Sequence, residues 1–130
     1  MKKFLRQGDI QIARIENLPH GVKPLPEYRV ESETSGNVHY LIGKDVEIYT
    51  GGSDAYAACP KGAVLVHTHR EMLNEIKKQD RMLPEELHAF VKERGLVRDH
   101  EPIVLQPGVY VFSRHQLYDP LEGLYQVVID

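Results

Sequence analysis

The chain has 130 residues, of which 42% are hydrophobic and 27% charged, with a formal net charge of −3 and a pI of about 6.2. These values predict one soluble globular domain over residues 1–130 with its own hydrophobic core. They argue against a nucleic-acid or membrane surface, and no apolar run approaches the roughly 20 residues of a membrane span. The single cysteine, Cys59, excludes an internal disulfide and is typical of a reducing compartment, so we expect a cytoplasmic protein.

Short strands with alternating side chains are predicted through the first half of the chain. Residues 17–26 contain three prolines and a glycine and predict a loop. Turn-forming residues separate the other segments, among them Gly36 and the run from Thr50 to Asp54. The predicted strands are 8–16, 28–31, 38–42, 46–49, 55–59 and 62–69.

After residue 69 the spacing of the apolar residues changes from that of a strand to that of a helix. Met72, Leu73 and Ile76 lie at helical spacing, and a second helix is predicted from Pro84, which suits a first turn, to the C-terminal cap Gly95. Strands resume at 103–105, 109–112 and 124–129. We therefore expect a mainly β (α+β) domain of short antiparallel strands, closed as a barrel or jelly roll, with a two-helix insertion around residues 70–95.

Residues 62–69, Gly-Ala-Val-Leu-Val-His-Thr-His, predict a buried strand that carries two histidines. Side chains alternate between the faces of a strand, so His67, His69 and Leu65 share one face. Neutral imidazole is the commonest side-chain metal ligand, and two imidazoles on one face can bind the same ion. Glu71 follows closely enough to supply a carboxylate. This strand therefore predicts a metal site.

A catalytic metal site needs a third ligand from elsewhere in the chain. His39 is the first candidate because it shares a strand face with Leu41, and His100 and His115 flank the strands at 103–105 and 109–112. Two histidines with a carboxylate suit iron(II), and three histidines suit zinc, copper or several other metals. We predict that a divalent transition metal (iron, zinc or manganese) is bound by members of the set His39, His67, His69 and His100.

The same histidines have a simpler interpretation, in which they bond locally or face solvent. An H-x-H pair is not rare in a chain with seven histidines. The protein is then a non-catalytic β-barrel module that binds a protein partner or assembles as a homo-oligomer. Metal content separates the two interpretations.

The sequence around these residues resembles two protein families. Gly62, His67, His69 and Glu71 are similar to the first cupin motif, which is a glycine, H-x-H and then a glutamate. The second cupin motif, proline-x-glycine followed by a histidine, is represented by Pro107-Gly108 and the more distant His115. The resemblance implies a metal held by histidines inside a β-barrel.

The chain also resembles small uncharacterised bacterial and phage β-barrel proteins, across most of its length outside the helical insertion. Their pattern is Q-G-D, then T-G-x-x-H, then H-E-P-I and finally Q-x-x-Y-x-P. It matches residues 7–9, 34–39, 100–103 and 116–120, with Asn37 where a histidine is often found. This resemblance implies no activity, but it nominates His39 and His100 as a pair.

The leading hypothesis is a small metal-binding, cupin-like protein of unassigned activity. In an enzyme of this kind the metal acts as a Lewis acid or oxygen-binding centre for a small polar substrate. A small-molecule ligand and a homo-oligomer are compatible with this hypothesis, whereas nucleic-acid and membrane partners are not expected.

Overall fold

A computed structural model describes residues 4–31, 36–114, 116–119 and 124–127. For residues 4, 31, 116–119 and 124–127 it describes the backbone alone. In these residues the strands are β1 (Phe4–Gln7), β2 (Ile10–Ile15), β3 (Lys23–Leu25), β4 (Arg29–Glu31), β5 (Asn37–Ile42), β6 (Glu47–Gly51), β7 (Asp54–Cys59), β8 (Ala63–His69), β9 (Ile103–Leu105), β10 (Gly108–Arg114), β11 (Gln116–Asp119) and β12 (Leu124–Val127). A 3-10 turn (Arg70–Met72) and the helices α1 (Leu73–Lys77) and α2 (Pro84–Glu93) lie between β8 and β9.

The strands form two main sheets with antiparallel pairing throughout. One sheet has six strands in the order β1-β2-β10-β7-β6-β3, and the other has four in the order β4-β5-β8-β9. Strands β11 and β12 form a separate hairpin. The prediction of a mainly β, antiparallel protein with two inserted helices is confirmed, but the described strands do not close into a barrel.

Two hydrophobic layers hold these elements together. The inter-sheet layer lies between the two sheets, and its buried members include Ile12, Leu41, Ala57, Leu65, Leu105 and Phe112. The sheet–helix layer lies between the other face of the four-stranded sheet and the helices, and its members include Val38, Val64, Val66, Leu73, Ile76, Leu87 and Val91. Strands β5 and β8 are therefore covered on both faces, as their nearly continuous burial reflects.

The helical insertion begins and ends as the sequence predicts. Pro84 occupies the first turn of α2, where its missing N–H costs nothing, and Gly95 follows the last turn with φ +64°. Leu73 and Ile76 of α1 are buried against the sheet together with Leu87 and Val91 of α2. No helix in the described residues is both long and apolar enough to cross a membrane.

The structure differs from the prediction at the edges of the six-stranded sheet. Strand β3 lies inside the predicted loop 17–26 and pairs with β6. It is an edge strand, where Pro24 is tolerated because one side of the strand needs no ladder hydrogen bonds. Strand β1 pairs with β2 before the first predicted strand, and β11 lies between the predicted strands 109–112 and 124–129, where no strand is predicted. The end of the predicted last strand, 128–129, lies outside the described residues.

Candidate functional site

Strands β5 and β8 bring two histidines together at one end of the inter-sheet layer. In their antiparallel register His39 is directly opposite His67, and Leu41 is opposite Leu65 on the same face. Directly opposed side chains are the closest neighbours across a sheet. Both histidines are buried, and their ring centroids are 4.6 Å apart. The predicted pairing of His39 with the β8 histidine is thus present in the structure.

A third histidine reaches the cluster from the segment between α2 and β9. The His100 ring centroid lies 4.8 Å from that of His67 and 6.5 Å from that of His39. The Arg98 N–H donates a 2.8 Å hydrogen bond to the His67 carbonyl oxygen and so attaches this segment to the end of β8. We call His39, His67 and His100 the histidine cluster.

His69 lies apart from the histidine cluster. It is the last residue of β8, and its Nδ1 accepts a 3.2 Å hydrogen bond from the Glu71 N–H at the start of the 3-10 turn. Its Nε2 lies beside Gly36, since a Cβ built there would be 3.0 Å away. The Glu71 side chain is 85% exposed and its carboxylate is 3.9 Å from His69 Nδ1. His115 lies outside the described residues.

Gln7, at the end of β1, fixes the protonation of His39. Its Nε2 donates 2.9 Å hydrogen bonds to the carbonyl oxygens of Leu65 and Glu101, so the amide has one orientation and its Oε1 faces His39 Nδ1 at 2.9 Å. An amide oxygen only accepts, so His39 Nδ1 carries the hydrogen and donates it. The lone pair of the neutral His39 ring is therefore on Nε2.

Asp9, in the turn between β1 and β2, faces that lone pair. Its Oδ1 is 3.5 Å from His39 Nε2, and its Oδ2 accepts a 3.0 Å hydrogen bond from Arg114 Nη1. Burial, followed by the nearby His67, His100 and Arg114, lowers the pKa of His39 to about 3. The imidazole is neutral near pH 7, so this contact is not an ion pair. Instead, two electron-pair donors point at one region of a buried site.

His67 is oriented in the same way as His39. Its Nδ1 is hydrogen-bonded to the Arg98 carbonyl oxygen, which can only accept. The hydrogen is therefore on Nδ1, and Nε2 is the nitrogen left for another ligand. Histidines that bind metals are commonly fixed through their second ring nitrogen in this manner.

The structure gathers three of the four predicted ligands and adds two residues to which the sequence assigns no role. Within the described part of the chain, no group of three or more His, Cys, Asp or Glu side chains is arranged to hold a metal ion as it stands. In the sequence, Gln7 and Asp9 are distinguished only as part of the Q-G-D pattern. Their position in that pattern is the one sequence signal that could have found them.

Comparison with known proteins gives a family for this chain. Residues 6–115 match the family described as Domain of unknown function (DUF8820), which is more than four fifths of the chain. The chain belongs to the DUF8820 family. The DUF8820 match includes Gln7, Asp9 and all three members of the histidine cluster. No curated protein and no solved structure matches the chain.

Proposed function

We propose that this DUF8820 protein binds a divalent transition metal ion (iron, zinc or manganese) at Asp9 and the histidine cluster. The observation that carries the proposal is the 3.5 Å separation of His39 Nε2 and Asp9 Oδ1, both of them electron-pair donors. Two ligand atoms at bonds of about 2.1 Å to one tetrahedral ion lie roughly 3.4 Å apart. A buried cation accepts both lone pairs and removes the repulsion between them.

The neighbours of these ligands support the proposal. Gln7 accepts from His39 Nδ1, the Arg98 carbonyl accepts from His67 Nδ1, and Arg114 donates to the outer oxygen of Asp9. Each contact holds a ring or a carboxylate in place and leaves its inner atom for a ligand. Supporting hydrogen bonds of this kind typically change metal affinity by about 10- to 100-fold.

The remaining ligands are within reach of the same ion. Imidazoles that share one ion through bonds of about 2.1 Å have ring centroids roughly 5 Å apart. The His67 ring centroid is 4.6 Å from that of His39 and 4.8 Å from that of His100. The 6.5 Å between His39 and His100 is longer, so His100 turns inwards on binding. His69 is left out of the proposed set because its Nδ1 accepts from Glu71 N–H.

The fold supports a cupin-like interpretation as part of this proposal. Two antiparallel sheets face each other across the inter-sheet layer, as in a jelly roll, and the histidine cluster lies at one end of that layer. A bound ion supplies Lewis acidity, which a metal-dependent enzyme uses on a small polar substrate. We assign the protein to a reducing cytoplasm, because Cys59 is buried without a disulfide partner in this single-cysteine chain.

Metal content tests the proposal directly. Untagged protein purified without chelator is measured by elemental mass spectrometry, beside Asp9→Asn and His67→Ala. Asp9→Asn keeps the shape of the side chain and removes its charge. His20→Ala is the matched control, since His20 is exposed and belongs to a loop. We expect near-stoichiometric metal in the parent and in His20→Ala. Asp9→Asn and His67→Ala should retain less metal, because each substitution lowers the metal affinity at least tenfold.

Circular dichroism shows whether each variant is folded, so that a loss of metal is assigned to the site. Two results contradict the proposal. One is a parent that takes up no iron(II), zinc or manganese after incubation. The other is metal that stays at full occupancy in both folded site variants. Either result favours the non-catalytic module.

A further inference from the structure

A second feature of the same end of the molecule is a cavity between the sheets, with a volume of about 160 Å³. Part of its lining is apolar and aromatic, since it includes Ile10, Val30 and the rings of Tyr28 and Phe112, which stack at 4.8 Å. An apolar cavity of about 150 Å³ is large enough for benzene. The cavity therefore fits the body of a molecule with about six heavy atoms.

The polar groups of the cavity lie at Thr50, Ser53, Asp54 and Arg114. The Arg114 charge is balanced by Asp9, at 3.0 Å, on the side of the histidine cluster. The Asp54 carboxylate has no hydrogen bond or ion pair with another side chain among the residues that the structure describes. Among the described residues, Asp54 adds a negative charge beside the Arg114–Asp9 pair, so these three side chains carry a formal net charge of −1.

We propose that this cavity binds a small organic ammonium ion, a primary amine on a compact apolar body. The body packs on Tyr28, Phe112 and Val30, and the ammonium group pairs with Asp54. Thr50 and Ser53 line the cavity together with Asp54, and hydroxyl groups can accept further ammonium hydrogens. An anion is disfavoured, because it meets Asp54 while Arg114 is already paired. This site does not depend on the metal proposed above.

Ligand titration followed by amide NMR of the full chain tests the inference, with a chelator present so that the metal proposal has no influence. The probes are benzylammonium, the neutral benzyl alcohol and the anionic benzoate. We expect benzylammonium to bind roughly fivefold more tightly than benzyl alcohol, the factor that a partly exposed ion pair supplies. We expect benzoate to bind least, and shifts to centre on the amides of Tyr28, Ala55 and Phe112.

Two variants separate the charge from the cavity. Asp54→Asn should lower benzylammonium affinity to that of benzyl alcohol, while Asp80→Asn, at an exposed acid that does not line the cavity, should leave it unchanged. Ala55→Leu should abolish binding of both probes by filling the cavity. Benzoate binding most tightly, an unchanged affinity in Asp54→Asn, or no probe binding near Tyr28 would each overturn the inference.

Discussion

The two buried layers of this molecule use the same two strands for different purposes. Strands β5 and β8 contribute one face to the sheet–helix layer and the other to the inter-sheet layer. Apart from tyrosines, five polar or charged side chains are buried among the described residues. Only Thr68 lies on the sheet–helix side, where its hydroxyl donates to the Leu96 carbonyl. The other four, Gln7, Asp9, His39 and His67, gather at one end of the inter-sheet layer.

This difference separates stability from function within one small domain. Burying a polar group costs free energy unless it is hydrogen-bonded, so the four groups at this end of the inter-sheet layer depend on the hydrogen bonds that each of them makes. The sheet–helix layer carries fewer such groups, the hydroxyls of the buried residues Thr68 and Tyr40 among them. It follows that the helical insertion stabilises β5 and β8 from outside, while their inner face is free to carry chemistry.

The largest expected effect is on the sheet–helix layer. Ile76→Ala removes a fully buried side chain of α1 and should lower the free energy of unfolding by about 2 to 5 kcal/mol, from lost burial and the cavity left behind. Its metal affinity should not change, because the histidine cluster faces the other layer. Urea unfolding and metal titration of the same sample check both statements.

Leu83→Ala is the control for this prediction, since Leu83 is 61% exposed at the start of α2. It should change the unfolding free energy by less than about 0.5 kcal/mol. An Ile76→Ala variant that is folded but has lost metal binding would contradict the proposed separation of the two layers.

The next effect is in the polar end of the inter-sheet layer. Gln7→Leu leaves the Leu65 and Glu101 carbonyls without this donor and His39 Nδ1 without its acceptor. We expect a loss of about 2 kcal/mol in unfolding free energy and a 10- to 100-fold loss of metal affinity. The matched control is Gln11→Leu, at a half-buried position of β2. An unchanged metal affinity in Gln7→Leu would remove the role assigned to Gln7.

The sequence alone predicts the strands that carry His39 and His67, because alternation and turn residues are local signals. Leu65 and His67 do share a face, and β5 does place His39 beside them. His69 shows the limit of the same rule. The strand ends at His69, and the chain enters a 3-10 turn whose Glu71 N–H binds the ring. Alternation predicts a face only while the strand continues.

Long-range contacts are the part that the sequence does not reveal. Gln7 meets Glu101, which is 94 positions away in the chain, and Asp9 meets Arg114 across 105 positions. Neither contact has a periodic signature, because each depends on how the two sheets are stacked. The edge strand β3 is not predicted for a related reason, since its pairing with β6 outweighs the local preference of a proline-rich segment.

The acid response should reveal the buried His39. Its pKa is lowered from 6.5 to about 3 by burial and by the charges of His67, His100 and Arg114, with the Asp9 carboxylate facing its Nε2. Between these values the unfolded chain binds more protons than the folded chain, so stability is complete above pH 6.5 and falls towards pH 3. The slope from this group is at most about 1.4 kcal/mol per pH unit.

Urea unfolding at pH 5, 6 and 7 with a chelator present measures this slope. His39→Gln lacks the titrating group and should show a flatter dependence than the parent over this range. The comparison isolates His39 from the carboxylates, which titrate mainly at lower pH. Equal slopes in the parent and in His39→Gln would show that His39 does not carry the acid response.

The smallest expected effect concerns Thr68 of the sheet–helix layer. Thr68→Val keeps the shape of the side chain but leaves the Leu96 carbonyl without its hydroxyl donor, which should lower the unfolding free energy by about 1 kcal/mol. Thr50→Val, at a half-buried strand position, is the control and should cost less. Metal affinity should stay unchanged in both. If Thr68→Val instead weakens metal binding as strongly as Gln7→Leu, the two faces of β8 are coupled. The proposed separation, with stability in the sheet–helix layer and metal binding in the inter-sheet layer, is then wrong.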